Sequence, residues 1–246
     1  MTESASPYLS IVIPAFNEAA RLSMSLQQLV EFCNRLAFSF EVLVVVEKSS
    51  DTTLELASEI VSKQACFHVI DNLIQRGKGY AVRSGMLRAQ GEFVFYMDTD
   101  LSVPLDEISV FLDYFKNHPD IDLLVGNRQH LQSNILKRQS WWREKMGQIF
   151  NLILRQFIPV TLRDTQCGFK AFRARAVRRI FEHQKIDGFA FDVEVLLLAE
   201  KSGFKTVDLP VRWINSSESK VRLLRDSLQM FIDVWKICNQ PSICHR

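Results

Sequence analysis

Two aspartates, Asp98 and Asp100, stand one residue apart at the end of an apolar run that begins at residue 92. Carboxylates this close repel each other unless a cation lies between them. Hard divalent cations such as Mg²⁺ and Mn²⁺ prefer oxygen ligands. The pattern therefore indicates either a divalent-metal site or a solvated turn in which one aspartate caps the following helix. The tripeptide alone does not decide between these two.

Three other stretches place polar residues where an apolar run gives way to a helical pattern. They read IVIPAFNEAARL (11–22), VVVEKSSDTT (44–53) and QRGKGYAVRSGM (75–86). Taken singly, each is typical of a capped helix start with no further role.

The elements that would position these residues follow a regular alternation. Short runs rich in Val, Ile and Phe predict buried strands, and the segments between them have helical spacing. The predicted strands are 9–16, 41–47, 66–70, 92–98 and 122–126, and the predicted helices are 19–38, 52–65, 78–89 and 105–118. This order predicts an α/β fold with a mainly parallel sheet and helices on both faces. Ligands of such sheets bind at the carboxyl ends of the strands, where Asp98 and Asp100 lie.

The rhythm changes after residue 126. Segment 134–158 is basic at its start and apolar later, and its length sets it apart from the earlier elements. Further helices are predicted at 173–183, 190–202 and 223–238, with a last strand at 206–211. The chain contains no repeat, low-complexity tract or linker, so residues 1–246 are predicted to form one domain.

The composition limits the class of protein. The hydrophobic share of 47% is ordinary for a globular core, and a net charge of +2 does not indicate a nucleic-acid partner. Five cysteines without a C-x-x-C pair predict a reduced, intracellular protein. Residues 1–8 lack the features of a signal peptide, and no apolar stretch reaches the roughly 18 residues of a membrane span.

In their order and spacing, the three polar stretches and D-x-D resemble the nucleotide-sugar-binding half of family 2 glycosyltransferases, which have the GT-A fold. Later motifs are similar to the polyprenyl-phosphate branch of that family, above all to dolichyl-phosphate β-glucosyltransferases. These motifs are GNRQHL (126–131), RDTQCGFKAF (163–172), FAFDVEVLLLA (189–199) and ESKV (218–221). The resemblance covers residues 9–237. It implies a donor half at about 9–126 and an acceptor side at 127–238.

The resemblance implies a donor site and a metal site. The implied nucleotide-sugar-binding residues are Pro14, Ala15, Asn17, Glu18, Glu47, Asp51, Gly77, Lys78, Asp98, Thr99 and Asp100. Asp98 and Asp100 are the implied ligands of Mg²⁺ or Mn²⁺. Two departures from the family pattern stand out: Val46 replaces an acidic residue before Glu47, and Ser102 replaces a glutamine that serves some relatives. A third protein ligand for the metal is therefore not predicted.

The acceptor side is implied by the later motifs. Acceptor-binding roles fall on Arg128, Arg138, Asp164, Gln166, Lys170 and Lys220, and the catalytic set is Asp98, Asp100, Arg128 and Lys220. Cations suit a phosphate monoester, although an isolated arginine is more often a solvated surface residue. Asp192 and Glu194 are candidates to orient the sugar or the basic cluster, and for Asp192 a role as a helix cap is an equal alternative. Cys167 is interpreted as a small packed residue.

The implied reaction is an inverting, metal-dependent transfer of a hexose, glucose from UDP-glucose, to a polyprenyl phosphate such as dolichyl or undecaprenyl phosphate. A phosphate monoester is already an oxyanion at neutral pH, because its second pKa is about 6, so no strong base is required. Two alternatives stay open. One is a family 2 enzyme with a saccharide or other soluble acceptor, and the other is a nucleotide-sugar-binding protein without turnover.

A lipid acceptor implies contact with a membrane. Segment 140–160 combines Trp141, Trp142 and basic residues with an apolar stripe. Periodicity alone favours a helix packed onto the sheet or at a dimer contact, whereas the implied lipid acceptor favours an interfacial helix. Segment 223–235 is a second candidate contact. Eukaryotic members of the branch carry an N-terminal anchor, whereas this sequence starts directly at its first strand. A peripheral protein on the cytoplasmic face of a membrane is therefore expected, alone or held by a membrane-anchored partner or a homo-oligomer.

Overall fold

The structure is a computed structural model that describes residues 6–137, 164–214 and 223–238. The predicted interfacial segment 140–160 lies outside these residues, as do Arg138 and Lys220. Among the helices in the described ranges, none combines the length and apolar character that crossing a bilayer requires.

Strands and helices alternate through the first half of the chain. The strands are β1 (Leu9–Ala15), β2 (Phe40–Glu47), β3 (Phe67–Asn72), β4 (Phe93–Met97), β5 (Leu123–Asn127), β6 (Asn134–Lys137), β7 (Phe169–Arg173), β8 (Thr206–Pro210) and β9 (Arg212–Ile214). The helices are α1 (Ala19–Cys33), α2 (Thr53–Val61), α3 (Lys78–Met86), α4 (Glu107–Asn117), α5 (Ala174–Phe181), α6 (Phe191–Lys201) and α7 (Leu223–Cys238).

Seven of these strands form one sheet in the order β3-β2-β1-β4-β7-β5-β8. Its pairings are parallel except at β7, which runs antiparallel between β4 and β5. Strands β6 and β9 pair in a separate small sheet. Because β7 is reversed, the turn 164–168 that leads into it lies at the edge where β1, β2, β4 and β5 end. This edge is where an α/β sheet binds its ligands.

Both faces of the sheet are covered. Side chains of neighbouring strand residues point to opposite faces, so Ile11 and Ile13 pack on one side and Val12 on the other. Helices α1, α2 and α4 pack on the first face, and α3, α5, α6 and α7 on the second. Each fully buried aliphatic or aromatic side chain contributes about 1.5–3 kcal/mol to the stability of the fold. This packing holds the strands, and therefore the edge at which they end, in place.

The predicted α/β fold is confirmed. The five strands expected between residues 9 and 126 are present with small shifts in their bounds, as are the later strand and the helices predicted at 173–183, 190–202 and 223–238. Strands β6, β7 and β9 were not predicted, and the basic start of segment 134–158 is β6. A short strand such as FKAFR carries too few residues for its period to be recognised.

Candidate functional site

The loops after β1 and β2 are tied together by the side chains of Asn17 and Asp51. The side-chain Oδ1 of Asn17 accepts a hydrogen bond from the Ser50 backbone amide (2.7 Å), and the Asn17 backbone amide donates to Ser49 Oγ (3.0 Å). Asp51 accepts from the Ala19 amide at 3.1 Å. Asn17 adopts a φ of 52°, a conformation that asparagine tolerates better than most residues. Asn17 and Asp51, both predicted to bind the nucleotide sugar, therefore hold the loops after β1 and β2 in a fixed arrangement.

The end of β1 is joined to the D-x-D turn through Thr99. Its hydroxyl donates to the Pro14 carbonyl, and the Thr99 side chain is buried. Ala15 is likewise buried at the strand end. The middle residue of D-x-D thus points into the protein, while the aspartates on either side point toward the edge.

Each of the two aspartates has a cationic partner from a different helix. Lys78, the first residue of α3, lies 2.6 Å from Asp98. Arg21, in α1, lies 3.7 Å from Asp100 and also forms a two-pronged ion pair with Glu18. Burial by itself lowers the pKa of Lys78, but the carboxylates of Asp98 and Asp192 raise it above its ordinary value. The repulsion between the aspartates is therefore balanced by side chains of the protein itself.

The acidic pair is chemically suited to a divalent cation. Within residues 6–137, 164–214 and 223–238, no three His, Cys, Asp or Glu side chains converge as a ligand set. Asp98 and Asp100 would therefore supply two carboxylates from the part of the chain that the structure describes. Magnesium is commonly bound in this way, with water and substrate phosphates completing its shell.

Glu47 faces the turn before α3. It is 2% exposed, and its carboxylate accepts hydrogen bonds from the amides of Arg76 (2.9 Å) and Gly77 (2.8 Å). Gly77 has a φ of 130°, and a Cβ there would lie 2.6 Å from the carbonyl oxygen of Asp187. The glycine is thus required, and Glu47 holds the backbone that presents Lys78. Its contact with a nucleotide stays a prediction.

Asp164 and Arg128 form a partly buried ion pair on the other side of β7. Asp164 is fully buried and accepts from the Arg128 amide (3.0 Å), Nε (2.7 Å) and Nη2 (2.9 Å). Burial alone would raise the pKa of Asp164, but the guanidinium of Arg128 holds it below its ordinary value. Asp164 therefore orients Arg128, whose side chain keeps 29% of its surface exposed at the edge.

The turn between Asp164 and β7 carries two more predicted residues. Gln166 is partly exposed at the rim. Cys167 is buried, and burial raises the pKa of its thiol to about 11, in agreement with its interpretation as a packed residue. Gly168 lies directly against Asp98, because a Cβ there would be 2.0 Å from Oδ2 of that aspartate.

Lys170 is fully buried in β7, although a direct role at the acceptor was implied for it. Its ammonium pairs with Asp192, which also accepts from the Tyr96 hydroxyl, and donates to the Cys167 carbonyl at 2.6 Å. The charge of Lys170 is therefore neutralised inside the protein. Glu194, also fully buried, accepts from the amide of Ile186 at 2.7 Å, and burial raises its pKa.

Sequence reasoning left several of these partners out. Arg21 is one of them, although it stands three residues after Glu18, the N-cap of α1, a spacing at which side chains meet on a helix. Gly168 and Tyr96 could not be recognised from the sequence, because their contacts, with Asp98 and Asp192, come from elements distant in the chain. Of the cations implied for the acceptor phosphate, Arg128 lies in the described ranges, and Arg138 and Lys220 lie outside them.

The family model and the curated relatives that match this chain agree with each other. Residues 10–181 match the family model of glycosyl transferase family 2. Dolichyl-phosphate β-glucosyltransferase of Dictyostelium discoideum is 32% identical over 242 residues, which cover 94% of this chain and 73% of that protein. The Saccharomyces cerevisiae protein of the same name is 29% identical over 244 residues, covering 92% and 73%. The human one is 28% identical over 243 residues, covering 94% and 75%.

Solved structures share the fold. Mannosyl-3-phosphoglycerate synthase from Rubrobacter xylanophilus superposes with a TM-score of 0.70 at 17% identity, covering 98% of this chain and 77% of that one. Glucosyl-3-phosphoglycerate synthase from Mycobacterium tuberculosis, crystallised with Mn²⁺, UDP-glucose and phosphoglyceric acid, gives a TM-score of 0.67 at 16% identity, covering 96% and 81%. At this identity the likeness concerns the fold, and it confirms the expected glycosyltransferase architecture.

Proposed function

Because the chain belongs to glycosyl transferase family 2, we propose that it transfers glucose from UDP-glucose to a polyprenyl phosphate, dolichyl or undecaprenyl phosphate, with inversion at the anomeric carbon. Similarity to dolichyl-phosphate β-glucosyltransferases along 94% of the chain supports this acceptor class. The observation that carries the proposal is that the proposed metal ligand and the proposed acceptor cation lie at the same edge of the sheet. Turn 164–168 contacts Asp98 at one end and Arg128 at the other.

On the donor side, the proposed contacts are the residues at the ends of β1 and β2 together with Gly77 and Lys78. Asp98 and Asp100 would hold Mg²⁺ or Mn²⁺, which neutralises the charge that develops on a departing diphosphate. Lys78, 2.6 Å from Asp98, adds a second positive charge beside that diphosphate. Ionic partners already exist for both aspartates, so the protein part of this site is formed before any ligand binds.

On the acceptor side, Arg128 holds the phosphate, together with Arg138 and Lys220 in the proposal. Two anions, the acceptor phosphate and the donor diphosphate, repel each other, and fixed cations between them reduce that cost. The acceptor oxygen is already negative near neutral pH, since its second pKa is about 6. Asp192 is 3% exposed and paired with Lys170, so it is not available as a base.

The lipid acceptor places the protein at a membrane surface, and we propose the cytoplasmic face, with segments 140–160 and 223–235 as contacts. Helix α7 exposes 43% of Ile232 and 69% of Trp235, as an interfacial helix would. A membrane-anchored partner or a homo-oligomer would serve the same purpose. Sedimentation with vesicles of anionic phospholipid tests this contact separately from the chemistry.

The experiment that tests the reaction incubates the protein with polyprenyl phosphate, Mn²⁺ or Mg²⁺ and a panel of radiolabelled nucleotide sugars. Label in the organic phase, greatest with UDP-glucose and lost in Asp100→Ala, is the expected result. Label confined to the aqueous phase would instead indicate a soluble acceptor. Absence of product in a single-turnover experiment would indicate a binding protein and refute the proposed reaction.

A further inference from the structure

Turn 164–168 joins the two halves of the proposed site through its backbone. At its start, Asp164 accepts a hydrogen bond from the amide of Arg128 at 3.0 Å, as well as two from its guanidinium. At its end, the Gly168 carbonyl accepts from the amide of Asp98 at 3.2 Å. The position of this turn therefore sets both the metal-side carboxylate and the acceptor-side cation.

The turn is fixed from below by one buried lysine. Lys170 lies opposite Tyr96 in the pairing of β4 with β7, and its Nζ donates to the Cys167 carbonyl at 2.6 Å. Cys167 is in turn packed where Gly126 has no side chain, since a Cβ on Gly126 would lie 2.9 Å from its sulfur. The ammonium thus holds the peptide between Cys167 and Gly168, which is the part of the turn that touches Asp98.

The ammonium is held in place by Asp192 at the start of α6. Lys170 is fully buried and Asp192 is 3% exposed, so neither charge is solvated by water. Asp192 accepts from both Lys170 Nζ and the Tyr96 hydroxyl. A buried pair with additional hydrogen bonds has one permitted geometry, whereas an unpaired buried ammonium would be expelled or neutralised.

We propose that Lys170, held by Asp192, is a positioning residue that couples the metal-binding carboxylate Asp98 to the acceptor cation Arg128 through turn 164–168. It acts beneath the site and touches neither substrate. The metal side of this inference rests on the proposed function, whereas the fixing of the turn does not. Removing a residue that orients a metal ligand without binding the metal itself typically weakens metal binding about 10- to 100-fold.

The test compares Lys170→Met with Tyr96→Phe. Lys170→Met removes the hydrogen bond to Cys167, whereas Tyr96→Phe removes a buried hydrogen bond to the same Asp192 and leaves the turn anchored. Binding of Mn²⁺ in the presence of UDP is followed by electron paramagnetic resonance. We expect Lys170→Met to weaken it by about 10-fold or more and to raise the acceptor KM, while Tyr96→Phe stays within about twofold of the native protein.

Amide hydrogen exchange gives a readout that needs no ligand. Lys170→Met should accelerate exchange at the amides of Arg128 and Asp98, which bond to the two ends of the turn, and Tyr96→Phe should not. If the native protein binds no Mn²⁺ with UDP, the proposed metal site fails, and the exchange rates still decide whether Lys170 fixes the turn.

Two results would overturn the inference. One is a folded Lys170→Met protein with native Mn²⁺ affinity and native exchange at Arg128 and Asp98. The other is a loss of Mn²⁺ affinity in Tyr96→Phe as large as in Lys170→Met, which would mean that any packing defect near Asp192 weakens metal binding. If Lys170→Met does not fold, the double variant Lys170→Met/Asp192→Asn removes both buried charges and takes the same measurements, because neutral replacements of a buried pair are often tolerated.

Discussion

Replacing Gly168 by alanine tests the geometry of the proposed metal site directly. The new Cβ would lie 2.0 Å from Oδ2 of Asp98 and 2.4 Å from its Cγ, whereas ordinary contacts are at least 3.4 Å. The Asp98 carboxylate must therefore move by more than about 1 Å, a displacement that can cost about 100-fold in rate. That factor corresponds to about 2.7 kcal/mol of lost transition-state stabilisation.

The expected result is a loss of about 100-fold in kcat/KM for transfer together with weaker Mn²⁺ binding. Stability should change by no more than about 1 kcal/mol, because alanine restricts the unfolded chain and the displaced group is the end of a flexible side chain. Gly188→Ala is the matched control, since its Cβ would meet Asp233 at an ordinary 3.4 Å. A Gly168→Ala protein with native activity and native Mn²⁺ affinity would refute the assignment of Asp98.

Three further predictions concern the buried pair, the metal and the cysteines. Arg128→Gln should lower the free energy of unfolding by about 3 kcal/mol, because it leaves the fully buried Asp164 without its cation. Since Arg128 holds the pKa of Asp164 below its ordinary value against the effect of burial, the pair stabilises the fold above about pH 4 and less as the pH falls. In urea denaturation, the difference in free energy of unfolding between the native protein and Arg128→Gln should become smaller as the pH falls. An equal difference at about pH 3 and about pH 7 would contradict this. Asp100→Ala or EDTA should reduce transfer about 100-fold or more, and full activity in EDTA would count against a metal-dependent reaction. Iodoacetamide should label the exposed Cys66 at about pH 8 and leave the buried Cys167 intact, because burial raises the pKa of that thiol to about 11; equal labelling by mass spectrometry would show that the turn opens.

The alternation of strands and helices in the first half and the position of D-x-D could be predicted because they depend on local patterns. Continuous apolar runs such as 9–16 and 41–47 are typical of strands in a parallel sheet that is covered on both faces, and parallel strands end at one edge. Asp98, directly after β4, could therefore be expected at the same edge as the loops after β1 and β2, which carry Asn17 and Asp51.

The partners of the charged residues could not be predicted in the same way. Lys170 lies in a strand of only 5 residues, and a lysine is ordinarily expected in solvent. Glu47 is the last residue of β2, and its carboxylate turns inward to the amides of Arg76 and Gly77. Both outcomes depend on elements that are distant in the sequence.

The sequence by itself determined the alternation of strands and helices, the edge at which polar residues gather and the family motifs. Those features follow from periodicity and from residue types that act over a few positions. The tertiary structure alone decided that β7 is inserted antiparallel between β4 and β5, which brings turn 164–168 against Asp98. It also decided that Lys170 is an internal partner of Asp192. The physical reason is that a buried charge requires a counter-charge within a few ångströms, and only the folded chain brings residues from separate elements that close.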